Sequence, residues 1–397
     1  MSHYLSRRVR DLPDWRTLFQ NRLSRAAKGA DDLLLTGGGE WSTEIDMPRH
    51  LIDAANDAVH GRPQYTDSYG IAPLRDAIAQ KLEHENGIAV DATSEIVVTS
   101  GATEAICVAM LGLLDPGDEV IFGDPYYMAI YRPNVELSGA RLVNVRTEES
   151  ASWRIDPAAI ESSITERTKA IVLTSPENPT GAVPTHDQLK EIARIALERD
   201  LVIVSDEMYE KFLYDGRQHF SIASFPEAAG RTITINGFSK TYGLTGYRVG
   251  YLAGPRALVS ELAKIRAATT LCASEVSQRV ALAALEGPQA WLPEIINEYE
   301  RARDRFVEVF GGIDGLSVAP PDGAIYIFAN VSQLPGDSMT IAEYFIREAR
   351  VMCRPGTYFG AAGEGYVRFN MTTDLDMVDE IGRRVSKAVA RLRENAT

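Results

Sequence analysis

A chain of 397 residues, 45% hydrophobic and 24% charged, has the composition of a folded globular protein, long enough for a large core and for about two or three domains of ordinary size. Its formal charge of −14 argues against a sequence-independent grip on nucleic acid or on an anionic membrane. Cys107, Cys272 and Cys353 are widely separated and the six histidines never fall at ligand spacing, so neither a disulfide framework nor a metal site is read, and a reducing cytoplasm fits best.

Residues 1 to about 31 read as a polar helical arm, with Leu12, Trp15, Phe19 and Leu23 three or four apart on one face. Arg7, Arg8 and Arg10 are followed by Asp11 and Asp14 and not by an apolar stretch, so no export signal is read. The longest uncharged apolar run, Ile106 to Leu114, is too short to cross a bilayer. Asp32 to Thr36 reads as a short strand, after which Gly37-Gly38-Gly39 serves equally as a flexible turn or as backbone that exposes N–H groups to a ligand. Pro48 opens a helix through His60.

From Glu95 the chain alternates strand, loop and helix. The strands are Ile96–Val98, Glu119–Phe122, Ala170–Leu173, Leu201–Val204 and Thr232–Ile235, with helices over Thr103–Leu114 and Tyr126–Leu137. The strands are apolar on both faces, as parallel strands covered by helices are. After Tyr251 the pattern turns helical, with an amphipathic helix near Trp291–Phe310. Short strands at Ser317–Ala319, Ile325–Phe328 and Val367–Asn370, with a helix around Ile341–Arg350, make a second, α+β region.

Four segments carry chemistry. Thr99 to Ala105 puts small residues between a strand and a helix, which suits both an ordinary cap and an anion cradle of unpaired amides. Pro176-Glu177-Asn178-Pro179-Thr180-Gly181 holds Asn178 in an extended turn just past a strand. Asp206 follows a wholly apolar strand, where a carboxylate is costly without a cation or donor. Lys240 lies on the loop after Ile235, among glycines at 237, 243, 246 and 250 that read as close-approach positions, with Arg248 behind it.

The order and spacing of Asn178, Asp206, Tyr209, Lys240 and Arg248, with Tyr65-Thr66 and Gly70 before them, resembles the class I and II aminotransferase family, the fold type I enzymes that use pyridoxal 5′-phosphate. The resemblance runs from about Leu33 to the end. It implies a three-layer αβα large domain with a mostly parallel sheet over 48–285, a smaller α+β domain over 286–397, and an N-terminal arm with part of the small domain over 1–47. It implies a Schiff base on Lys240, which also moves the substrate Cα proton, and Asp206 on the pyridine nitrogen, with Asn178 and Tyr209 on the ring hydroxyl. Gly101, Ala102, Thr103 and Arg248 would bind the phosphate, Tyr127 would stack on the ring, and Tyr65 would reach the phosphate of a second subunit in a homodimer. Arg368 would grip the substrate α-carboxylate, assisted by the Gly39 backbone and Asn178.

The activity implied is transfer of an α-amino group from an L-amino acid to a 2-oxo acid; a lyase, cyclase or replacement enzyme, for example one acting on S-adenosylmethionine, uses the same set and remains open. Two departures bear on substrate. Thr103 stands where some aspartate-specific relatives carry a lysine for the distal carboxylate, and Glu40, Glu44 and Asp46 would favour a cationic side chain.

Overall fold

The computed structural model describes residues 4–12, 14–29, 32–36, 41 and 45–394. Its main sheet has seven strands, β1 (Ile96–Thr99), β2 (Glu119–Asp124), β3 (Arg141–Arg146), β4 (Thr168–Thr174), β5 (Val202–Asp206), β6 (Thr232–Gly237) and β7 (Gly250–Ala253), in the order β1-β7-β6-β5-β4-β2-β3. Strands β3, β2, β4, β5 and β6 run parallel, and β7 is antiparallel to both β6 and β1.

Fourteen α-helices are present among the described residues. They are α1 (Arg7–Asp11), α2 (Trp15–Ala26), α3 (Arg49–His60), α4 (Ala72–Asn86), α5 (Ala102–Leu113), α6 (Met128–Ser138), α7 (Pro157–Ser162), α8 (His186–Glu198), α9 (Pro226–Ala229), α10 (Arg256–Thr270), α11 (Glu275–Glu286), α12 (Trp291–Gly311), α13 (Ser338–Tyr344) and α14 (Leu375–Glu394).

The strand side chains alternate between two cores. Val120, Phe122, Val172, Val204, Ile233 and Ile235 pack with Ala105, Val108, Ala109 and Met110 of α5 and Leu262 of α10. Ile121, Ile171, Leu173 and Ile203 meet Leu189, Ile192, Ala193 and Ala196 of α8 on the other face. Burying each large aliphatic side chain contributes roughly 1.5–3 kcal/mol, so this two-sided burial dominates the sheet's stability. Helix α8 starts where it does because the Thr185 side chain accepts from the Gln188 N–H and the Gln188 side chain accepts from the Thr185 N–H.

A second, antiparallel sheet contains β8 (Ser317–Val318), β9 (Tyr326–Asn330), β10 (Arg354–Pro355) and β11 (Tyr366–Asn370), in the order β10-β11-β9-β8. Ile327, Ala329, Val367 and Phe369 face a core with Phe306, Phe310, Phe345 and Val385. The opposite face carries Tyr326, Phe328, Tyr366 and Arg368. Helix α2 docks on α13, where the Arg22 guanidinium meets both Glu343 oxygens at 2.6 and 2.9 Å.

The alternating α/β pattern expected from the sequence is present, and several details differ. Asp32–Thr36 forms no strand, only a single parallel bridge from Leu34 to Val351. Strand β3 was not anticipated, because it is an edge strand in which half the residues are exposed and polar residues interrupt the apolar ones. Strand β7 continues past Tyr251 and reverses direction, filling the gap between β1 and β6. The helix expected over 341–350 starts earlier, at Ser338 capped by Asp337, and ends in a π turn over Phe345–Ala349.

Candidate active site

The carboxyl ends of β4, β5 and β6 open into one cleft of about 830 Å³, its open mouth included, lined by Tyr127, Asn178, Asp206, Tyr209, Lys240, Arg248 and Arg368 among others. Asp206 ends β5 and is buried. Its Oδ2 accepts from the Tyr131 hydroxyl at 2.5 Å and its Oδ1 from the Met208 N–H at 3.2 Å. Burial pushes its pKa up to about 6, against the opposing pull of the Tyr131 and Met208 donors; the Glu207 charge adds to the rise and the Lys240 amine opposes it. A carboxylate in this setting calls for a cation in the cleft.

Lys240 follows β6 on a loop that lies close to its neighbours. A Cβ on Gly237 would come within 3.1 Å of the Gly250 Cα, and one on Gly250 within 2.7 Å of the Ala102 nitrogen. Gly243, at φ +67°, lies under the Trp41 indole, 2.7 Å from where its Cβ would be. Gly246 has open space around it, so its expected close approach is not found. The Trp41 Nε1 donates to the Lys240 carbonyl at 2.6 Å, and the Lys240 Nζ stands 5.8 Å from the centre of the Tyr209 ring.

At the cleft floor Gly101, at φ +83°, caps the twelve-residue helix α5, whose first residues are Ala102 and Thr103. A Cβ on Gly101 would stand 2.7 Å from the Arg248 Nη2. Helix N-terminal amides and an arginine therefore converge on one spot, the arrangement that binds a phosphate.

On the roof, Arg368 of β11 donates from Nη1 to the Asn178 Oδ1 at 2.9 Å. Its guanidinium lies between the rings of Tyr326 and Phe359, 4.2 and 4.8 Å from their centres. Its Nε is buried without a hydrogen-bond partner among the described residues, which leaves a donor for a carboxylate. The Tyr209 and Tyr326 hydroxyls are 2.5 Å apart, and burial holds the Tyr209 hydroxyl well above its ordinary pKa.

The structure thus brings Lys240, Asp206, Tyr209, Asn178, Ala102, Thr103, Tyr127, Arg248 and Arg368 together in the cleft, with Gly101 at its edge. Tyr65 stands outside it and is 85% exposed. Gly39, Glu40 and Glu44 lie outside the described residues, and Asp46 is exposed. Tyr131 and Tyr326, both in the cleft wall, were not anticipated. Tyr131 follows Tyr127 by four positions, a spacing that shares one helix face, and Tyr326 lies on an expected strand.

The description of the family "Aminotransferase class I and II" matches residues 38–385. The chain belongs to this family. Among curated relatives, aromatic-amino-acid aminotransferase 2 of Thermococcus litoralis is 36% identical over 93% of this chain and 94% of its own length. The aspartate aminotransferase of Pyrococcus abyssi is 36% identical with the same coverage of both chains. The solved structure of Thermus thermophilus aspartate aminotransferase with maleate superposes with a TM-score of 0.89 at 34% identity, covering 97% of this chain and 99% of that one.

As a class I and II aminotransferase the protein is a pyridoxal-phosphate-dependent transaminase of fold type I. The elimination and replacement chemistry left open by the residues gains no support from these relatives. The cleft fits the cofactor: the Gly101 cradle that a Cβ would fill suits its phosphate, and the buried Asp206 carboxylate suits a ring N–H.

Proposed function

We propose that Lys240 holds pyridoxal phosphate covalently through its ε-amine and moves the proton at the substrate Cα. The observation that carries this reading is the buried Asp206 carboxylate facing a cleft that also contains Lys240, Arg248 and Arg368. Bound there, the cofactor supplies an electron-accepting ring that stabilises negative charge at the substrate Cα. Asp206 keeps the ring nitrogen protonated, and Asn178 and Tyr209 donate toward the ring hydroxyl. The α5 amides at Gly101, Ala102 and Thr103, with Arg248, hold the phosphate, and Tyr127 covers one ring face. Arg368 orients the substrate through its α-carboxylate, with Asn178 and the Gly39 backbone beside it.

The substrates are an L-amino acid and a 2-oxo acid, and the relatives named for aspartate and for aromatic amino acids frame the choice between an anionic and an aromatic side chain. The maleate in the Thermus complex, a diacid, supports the first. The exposed Tyr65 supports a homodimer in which it reaches the partner's phosphate. The division at 47/48 and 285/286 into arm, cofactor-binding domain and small domain belongs to the same reading. The test is the visible spectrum of the purified protein. An amino acid should shift the bound cofactor's band, a 2-oxo acid should restore it, and Lys240→Ala should lower turnover by a factor on the order of 10⁴. Wild-type turnover in the alanine variant would sink the assignment.

A further inference from the structure

We infer that Arg354 is a specificity-determining residue that selects substrates with two carboxylates, taking the side-chain carboxylate while Arg368 takes the α-carboxylate. The inference rests on the role proposed above for Arg368. In the register of the second sheet, Arg354 of β10 lies directly across from Arg368 of β11. Directly opposed residues of antiparallel strands share a face, with Cβ atoms about 4.5–5.5 Å apart. That face is the one turned to the cleft, since it also carries Tyr326 and Arg368, both in the cleft wall.

Like charges directly opposite one another on a sheet destabilise it unless something neutralises them. Arg368 is balanced by two rings and an amide oxygen, none of them charged. Arg354 is half-buried and, among the described residues, donates only to the Met352 sulfur at 3.2 Å and the Cys353 carbonyl at 3.4 Å. Among the described residues it has no carboxylate partner. By contrast, Arg154 and Arg303 pair with Asp322 and Asp215 at 2.5 and 2.8 Å. Burial lowers the Arg354 pKa, the Arg368 charge lowers it further, and the Tyr358, Cys353 and Tyr127 side chains oppose the fall. Its place across the ladder from Arg368, which lines the cleft, puts Arg354 at the cleft's edge.

A guanidinium keeps its charge, so the pair stays dicationic whatever the pH of the cell. A monocarboxylate neutralises Arg368 and leaves Arg354 beside it. A four- or five-carbon diacid carries its second carboxylate about one cross-strand spacing from the first, roughly 5 Å, and neutralises both. With threonine at 103, this second cation comes from the roof of the cleft and not from the start of α5. Its sign is also opposite to the cationic preference expected from the acidic stretch before Pro48.

The holoenzyme tests this by single half-reactions followed in the visible band. For the wild type, kcat/KM for glutamate or aspartate divided by that for alanine is measured, and again for Arg354→Met and Arg354→Lys. The ratio should fall about a hundredfold in the methionine variant, mainly through KM, and recover in part in the lysine variant, the range expected for losing a charged hydrogen-bonded pair. A ratio unchanged within about threefold overturns the assignment. A second measurement needs no variant: succinate should compete at least about thirtyfold more tightly than butyrate in the wild type, and equal binding also overturns it. A wild type silent toward alanine and diacids alike would overturn the transaminase site itself, whereas one that responds to alanine and ignores the second carboxylate overturns only the role of Arg354.

Discussion

Asp206 owes its place at the cleft to β5, and the Tyr131 hydroxyl is the stronger of the two donors that oppose the effect of its burial. The tyrosine hydroxyl at 2.5 Å is the closer of its two donors and comes from α6, a separate element. Removing it in Tyr131→Phe takes a charge-assisted hydrogen bond, worth about 1.5–3 kcal/mol, from the buried carboxylate that is proposed to pair with the ring nitrogen. The expected outcome is a kcat lower by about tenfold or more with a displaced pH dependence of the visible band, KM for the amino acid changing less. A kcat within twofold of wild type would show that Met208 alone suffices. Asp206 was legible in the sequence because a carboxylate ending an apolar strand stands out, and Lys240 because its glycine-rich loop does. Tyr131 was not, because an aromatic in a helix reads as core until the helix is seen packed across a strand end. Arg354 was hidden in a two-residue strand, too short for any periodicity to announce.

The segment from Asp206 to Glu210 has two sides. Asp206 and Tyr209 face the cleft, while Glu207 and Glu210 turn into a buried polar network beneath it. The Glu207 carboxylate accepts from Ser205 at 2.8 Å, Ser221 at 2.6 Å and Asn86 at 3.1 Å, and meets His219 Nε2 at 3.0 Å. Glu210 accepts from Asn86 at 2.7 Å and pairs with Lys81 of α4. Glu207, Glu210 and His219 place ligand atoms within 4.8 Å of one another, and the cation that the structure sets against them is the Lys81 ammonium. Burial alone would raise the Glu210 pKa, yet Lys81, His219 and Asn86 bring it down to about 2. Lys81→Met leaves that carboxylate buried and unpaired, and should cost roughly 3–5 kcal/mol in urea unfolding. Lys81→Met with Glu210→Gln should recover much of it; a double variant no more stable than the single one would show that the pair does not anchor this segment.

At the scale of the whole molecule, the cleft joins the strand ends of one sheet to a face of the other, and the bond from Arg368 to Asn178 crosses between them. The parallel core of the first sheet was legible because its strands are apolar runs at regular intervals. The strand that reverses, β7, was not, because direction in a sheet is set by connections that periodicity does not encode. The fold also makes stability depend on the cofactor in a way that pH reveals. Burial raises the Asp206 pKa from 3.8 to about 6 in the cofactor-free chain, even with the Tyr131 and Met208 donors and the Lys240 amine opposing it. An acid whose folded pKa is raised contributes stability below its unfolded pKa and loses it as pH rises through the folded value. Protein stripped of cofactor should therefore lose on the order of 3 kcal/mol from this group between pH 4 and pH 7, about two pK units. Protein carrying the cofactor, with a ring cation against Asp206, should not. Parallel pH profiles of the urea midpoint for the two forms would contradict this.

The indole of Trp41 fastens the backbone of Lys240, fills the space over Gly243 and rests against Trp291 of α12, 5.5 Å away between ring centres. One side chain near the start of the chain is thereby a spacer with a fixed thickness between Lys240 and the helix behind it. A lineage, or a laboratory selection, that trims or enlarges this spacer retunes how far the amine reaches without altering any group that meets the substrate. Drift in a packing residue thus becomes a source of catalytic variation.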